Sequence, residues 1–120
     1  MTEDDKDMTE LYANWRKDQY HENKGFFPIF QSFSSKMTKL SNGAIALYVF
    51  LGLKSNYKTG VSFYSVKKLS IIFNKSPRTI SFWIKDLEDN KLIYRKQKTL
   101  NGVSTTYLLP YSDKNKDTNF

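Results

Sequence analysis

The chain has no cysteine and a single histidine, His21. Without thiols there can be no disulfide framework and no thiolate zinc site, which suits a reducing interior. One histidine with only Glu22 beside it makes no metal centre. Carboxylates are scarce where a folded body is expected: between residues 25 and 111 the only acids are Asp86, Glu88 and Asp89, crowded together. A separated acid and base pair is therefore missing. No P-loop, G-x-S-x-G or G-x-G-x-x-G pattern replaces it, so the chain is expected to be no enzyme and to need no cofactor. The longest apolar run spans only residues 44–53, well short of the ~20 residues of a spanning helix. The acidic start, Met1-Thr2-Glu3-Asp4-Asp5, is not that of a secretory signal. These absences give the expectation of a cytoplasmic protein with neither membrane nor metal partners.

What the chain does have is aromatic and basic. With 120 residues, 39% hydrophobic and 16% aromatic, it can build one modest core despite a mean hydropathy of -0.60. The net charge of +7 is unevenly placed. Residues 1–24 hold four basic side chains against seven acids, net -3; residues 25–111 hold thirteen against three, net +10; residues 112–120 balance. This divides the chain into an acidic, partly helical N-terminal extension (1–24), a folded domain (25–111) and a polar tail (112–120). A body so basic attracts polyanions, of which nucleic acid is the usual one.

The order of elements follows from periodicity and punctuation. Residues 1–7 are expected to be disordered, and residues 8–22 to form a helix with Leu11, Trp15 and Tyr12 on one face. Residues 25–33 read as an extended edge segment, with Phe27, Ile29 and Phe33 on one side and Pro28 restricting it. Ser41 caps a helix through about Ser55 that is apolar almost all round, so it should lie at the centre. Residues 61–64 read as a short strand. Ser65 caps a helix through Phe73 with Val66, Leu69, Ile72 and Phe73 inward, and Asn74 suits a left-handed turn. After residues 76–90, also helical, residues 92–98 and 104–110 form a hairpin around Asn101-Gly102, a type I′ signal.

The helix over residues 76–90 carries two opposed stripes. Ser76 can cap it, and Pro77 fits the first helical position. Ile80, Trp83, Ile84 and Leu87 recur at the spacing of a core-facing side. Arg78, Ser81, Phe82 and Lys85 fall opposite, and an arginine, a lysine and a small hydroxyl there can donate to guanine edges and phosphates in a major groove. Together these elements make an α+β fold, a winged helix-turn-helix: a three-helix core, a C-terminal hairpin wing and an N-terminal extension.

Leu69-Ser70, Asn74-Lys75-Ser76, Arg78-Thr79-Ile80, Ile84-Lys85-Asp86-Leu87-Glu88, Leu92-Ile93, Gly102 and Tyr107-Leu108-Leu109 resemble the winged helix-turn-helix domains of Gram-positive plasmid and phage replication initiators and replisome organisers. Residues 40–51 look like the first helix of that family and residues 26–33 like its short leading strand, while Lys91 stands where glycine normally ends the third helix. The resemblance implies that Ser76, Arg78, Thr79, Ser81 and Lys85 face the groove. Arg78 and Ser81 would lie nearest the bases, Ser76 and Thr79 nearer phosphate. Helix-end donors at Ser65 and Ser76 would bind backbone. Arg95, Lys96 and Lys98 would lie on the wing beside its Asn101-Gly102 turn.

Several readings stay open at this point. Lys67, Lys68 and Lys75 are either phosphate contacts or solvated charges. Phe82 is a base-reading contact to thymine methyls or sugars, a residue packed under the wing, or a protein contact. Trp83, Tyr94, Tyr107 and Tyr111 read as packing. The expected partner is double-stranded DNA, bound by a homodimer because one module spans only a few base pairs. Leu11, Trp15, Phe27, Ile29 and Phe33 are the interface candidates. The expected role is sequence-specific binding for a mobile element in replication initiation, partition or transcriptional regulation. The alternative is a module that binds protein through Phe82 and the wing.

Overall fold

The structure, a computed structural model, describes residues 2–22, 25–97 and 103–112. In chain order the elements are α1 (Glu3–His21), α2 (Phe33–Met37), α3 (Asn42–Lys54), β1 (Val61–Ser62), α4 (Val66–Phe73), α5 (Pro77–Asp89), β2 (Ile93–Gln97) and β3 (Ser104–Leu108). The three core helices start where their serines predict. Ser41, Ser65 and Ser76 are all extended, and each side chain accepts the backbone N–H three residues on, from Ala44, Lys68 and Thr79. Each cap satisfies a donor that the first helical turn leaves orphaned.

α3 sits at the centre because its apolar side chains leave almost no polar face: Ala44, Leu47, Tyr48, Leu51 and Gly52 are all buried. Around it pack Leu69 of α4, Ile80, Ile84 and Leu87 of α5, and Leu92 and Ile93 at the start of the hairpin. α3 and α5 approach closely where α3 has no side chain. A Cβ on Gly43 would lie 1.9 Å from Trp83 Cε2, so only glycine admits the indole there. The indole also meets Phe73 edge-on at 5.6 Å, which makes Trp83 a packing residue. The Asp86 carboxylate of α5 accepts the Ser41 N–H at 2.8 Å, tying the start of α3 to the middle of α5.

α4 ends on Asn74 in the left-handed region, φ 52 and ψ 50. The Lys75 N–H then donates to the Ser70 carbonyl at 3.1 Å, closing a tight reversal into α5. α5 ends in the same way. Lys91 has φ 58, its N–H donates to the Glu88 carbonyl, and the Leu92 N–H donates to the Leu87 carbonyl, both at 3.0 Å. An L side chain in that region costs about 1–2 kcal/mol, whereas glycine occupies it freely. Part of the gain is offset by the greater freedom of glycine in the unfolded chain. Lys91→Gly should therefore stabilise the domain by about 0.5–1 kcal/mol, read as a higher urea midpoint with an unchanged slope. A lower midpoint would mean that the Lys91 side chain contributes more than the strain it imposes.

β1, β3 and β2 form an antiparallel sheet in that order, with Val61 opposite Tyr107 and Tyr107 opposite Tyr94. β1 covers only Val61–Ser62, shorter than the 61–64 expected. The hairpin register, which the sequence leaves open, sets Gln97 opposite Ser104 and Arg95 opposite Thr106. Lys98, Asn101 and Gly102 themselves lie outside the described residues.

The N-terminal third departs most. Residues 3–7 are helical, not disordered, because Thr2 and Asp5 form a capping box: the Thr2 side chain accepts the Asp5 N–H, and the Asp5 carboxylate accepts the Thr2 N–H. Hydrogen bonding to Thr2, through its backbone N–H first and its side chain second, holds the Asp5 carboxyl pKa below its usual value. α1 buries no residue. Residues 25–33 join no sheet. Phe33 starts α2 and is pulled into the core, its ring stacked on Tyr48 at 4.7 Å and tilted against Tyr111 at 5.6 Å. Burial pushes the Tyr48 hydroxyl pKa up, and the neighbouring Tyr111 adds to the shift. Phe27 half-buries itself where a Gly52 Cβ would come within 2.1 Å of its ring. Ile72, expected inward on α4, is 44% exposed. No helix among the described residues is long and apolar enough to cross a membrane.

Candidate nucleic-acid interface

α5 presents one of its two stripes to the core and the other to solvent. Ile80, Ile84 and Leu87 are buried, while Arg78, Ser81, Phe82 and Lys85 are exposed. At 68% exposure Phe82 does not pack beneath the wing. Lys85 Nζ lies 3.0 Å from Asp89 Oδ2, but both side chains are well exposed and such a pair is easily exchanged. Arg78 appears in no ion pair or hydrogen bond among the described residues, so its five donors are available.

The two serine caps differ in what they leave free. Ser65 Oγ accepts the Lys68 N–H at 3.1 Å. Ser76 Oγ accepts the Thr79 N–H at 3.2 Å and lies 3.0 Å from the Thr79 hydroxyl, so Ser76 and Thr79 form one hydroxyl pair at the start of α5. Lys67, Lys68 and Lys75 are exposed on and just after α4, with Lys68 Nζ 5.4 Å from the Tyr64 ring centre. Lys67 and Lys68 thus lie in the first turn of α4, Lys75 and Ser76 between the two helices and Arg78 in the first turn of α5, all five exposed.

On the wing the two described cations part company. Lys96 is exposed. Arg95 turns inward: Nη1 donates to Thr106 Oγ1 and Nη2 to the Tyr64 carbonyl, each at 2.7 Å. Its burial lowers the guanidinium pKa, with Glu88 opposing the shift. Arg95 therefore ties the wing to the segment before α4 and presents no free fork to a ligand. Pairing with Thr106 decides this, and that register is invisible until the strands are aligned.

The interface candidates are also scattered. Leu11 and Trp15 are 62% and 59% exposed on α1, in line with Met8 and Tyr12, and the Tyr12 and Trp15 rings meet edge-on at 5.9 Å. Ile29 is 46% exposed, but Phe33 is 2% exposed and belongs to the core of its own chain, so it cannot serve a second copy. Phe27 is likewise partly committed to α3. Two features were missed from the sequence. The Thr2-x-x-Asp5 spacing announces the start of α1, and strand alternation sets Tyr94 and Tyr107 together on the outer side of the sheet.

Comparison with known proteins agrees with this geometry. Residues 38–93 match a helix-turn-helix domain family. Among solved structures, a Rep protein in complex with DNA superposes with a TM-score of 0.55 at 24% identity, over 77% of this chain and 80% of that one. The N-terminal domain of a DNA-binding protein superposes with a TM-score of 0.54 at 23% identity, over 77% and 79%. A comparison with curated protein sequences returns no match. The serine-capped helices, the left-handed Asn74 turn and the hairpin that follows α5 make this domain an α+β winged helix-turn-helix.

Proposed function

We propose that this chain is a sequence-specific double-stranded DNA-binding protein of a plasmid, phage or other mobile element, acting as a homodimer in replication initiation, partition or transcriptional regulation. The observation that carries the proposal is α5: its apolar stripe is buried, and its exposed side offers Arg78, Ser81, Phe82 and Lys85 beside the cations of α4. In this reading α5 enters a major groove. Arg78 and Ser81 lie nearest base edges, Phe82 meets thymine methyls or sugars, and Lys85 exchanges Asp89 for phosphate or guanine. Ser65, Lys67, Lys68, Lys75, Ser76 and Thr79 hold the backbone, and Lys96 reaches it from the wing. The likeness to a Rep protein solved with DNA supports the replication role.

The dimer reading is supported by α1. A lone helix of 19 residues is marginal in water, and this one exposes Met8, Leu11, Tyr12 and Trp15 along one side. A second α1 would cover that stripe. Phe82 favours a second reading, a protein-binding module, because an aromatic ring 68% exposed is also a contact anchor.

Footprinting on the DNA upstream of the protein's own gene supplies the site, and two variants then test the assignment. Arg78→Ala should cost about 1–3 kcal/mol on that site and relax selection at one base, while Lys96→Ala should weaken cognate and random duplex alike. Equal losses on both for Arg78→Ala would reassign Arg78 to phosphate. No binding to random duplex at low salt would overturn the proposal in favour of the protein-binding module.

A further inference from the structure

We propose that the outer face of the three-stranded sheet is a second nucleic-acid surface, one that takes a single strand by stacking its bases. The pairing sets Val61, Tyr107 and Tyr94 side by side across the three strands, and Thr105 opposite Lys96 in a neighbouring row. Ser62, Ile93, Ser104 and Thr106 are buried on the opposite face, so alternation turns their neighbours outward. The outward side chains are large and uncovered: Tyr94 is 53% exposed, Tyr107 36%, and Phe63, just past β1, 62%. The two tyrosine rings lie 5.8 Å apart at 32°.

A cross-strand aromatic pair by itself needs no ligand, since it steadies a hairpin. Here more is present than such a pair requires. Phe63 adds a third exposed ring, Lys96 a free cation, and the Thr105 and tyrosine hydroxyls add polar tips. None of the three strands carries a carboxylate. Rings that offer their faces to any base beside positive charge are the combination used for unpaired nucleic acid, and here Lys96 supplies that charge among the described residues. A duplex cannot use it, because its bases are already stacked.

The surface also continues into the proposed duplex site. β2 and β3 form both this face and the wing, so a strand parting from a duplex held at α5 and Lys96 would meet Tyr94 and Tyr107 next. In that placement the inference rests on the duplex reading, although the rings and the charge stand without it.

The test is fluorescence anisotropy with two probes, a fluorescein-labelled oligothymidylate of about 12 nucleotides, within the span such surfaces cover, and a labelled random-sequence hairpin duplex. Tyr94→Leu and Tyr107→Leu should each weaken oligothymidylate binding by roughly fivefold or more, the loss of one stacked base, and leave duplex affinity unchanged. Tyr94→Phe, which keeps the ring, should bind as the parent does and so separates a lost stack from a lost fold. Lys75→Ala, in the proposed phosphate-binding set, should weaken the duplex alone. Duplex binding with no oligothymidylate binding, or oligothymidylate binding indifferent to both leucine variants, overturns this inference and leaves the duplex reading standing. Failure of both probes overturns both. If the leucine variants change sedimentation instead, the face is an interface between protein chains and the inference is wrong.

Discussion

Between about 50 and 200 mM salt, binding to a random duplex should weaken by about a thousandfold. Counterion release sets the size of the effect: each neutralised phosphate contributes about -0.9 to the slope of log K against log salt. The exposed cations of α4, α5 and the wing are Lys67, Lys68, Lys75, Arg78, Lys85 and Lys96, and on a random duplex, where Arg78 has no cognate base to read, all six are free to face phosphate. About six phosphate contacts give a slope near -5, which over a fourfold change in salt is about three decades. Arg95 is left out of that count because its guanidinium is already bonded to Thr106 and Tyr64. Arg95→Ala should therefore leave the slope unchanged, whereas Lys75→Ala should make it shallower by about one. A fall of only about tenfold would leave room for no more than two contacts and would sink the reading of α4 and α5 as a phosphate-binding surface.

If α1 anchors the proposed homodimer, removal of residues 1–22 should convert it to monomer and lower its affinity for a two-half-site duplex by about a hundredfold. Affinity for a single half-site should change little. The asymmetry follows from effective concentration, since a linked second module gains about two to four decades without any new contact. Nothing in the core depends on α1, which has no buried residue, so the truncated domain should keep its fold. Its last turn meets the body only at the surface, where Tyr20 lies edge-on to Phe26 at 5.3 Å and Phe26 to Tyr57 at 6.5 Å. Phe33 should stay buried after truncation, since Tyr48 and Tyr111 cover it. Sedimentation decides the matter: an unchanged dimer eliminates α1 as the anchor. If the truncated dimer also bound random duplex more tightly, the acidic segment would be acting as an electrostatic screen.

Where sequence reading succeeded, the signals were local. Ser41, Ser65 and Ser76 cap helices because a hydroxyl three residues ahead of a free N–H needs no help from elsewhere in the chain. Asn74 reaches the left-handed region for the same local reason. The two stripes of α5 follow from helical spacing alone. Where it failed, distant partners decided. Residues 25–33 alternate like a strand, yet the chain turns helical at Phe33 to stack that ring on Tyr48, fifteen residues on, and against Tyr111. The inward turn of Arg95 depends on which residue of β3 lies opposite, a matter of register. The early start of α1 was legible in Thr2 and Asp5, and only the acidity around them hid it.

The two bonds from Arg95 bear on how the domain meets a ligand. They reach Tyr64, one residue before the Ser65 cap of α4, and so join the wing to the start of the helix that precedes the turn. α5 is held from the other side, by Asp86 on Ser41 and by Trp83 over Gly43. Wing, α4 and α5 therefore keep one mutual orientation in the free protein. Docking on a rigid helical target then loses little freedom within the domain, and the ordering cost falls mainly on long surface side chains such as Arg78 and Lys75. The domain should recognise a shape it already fits, and discrimination between sites should show more in how long it stays than in how fast it arrives.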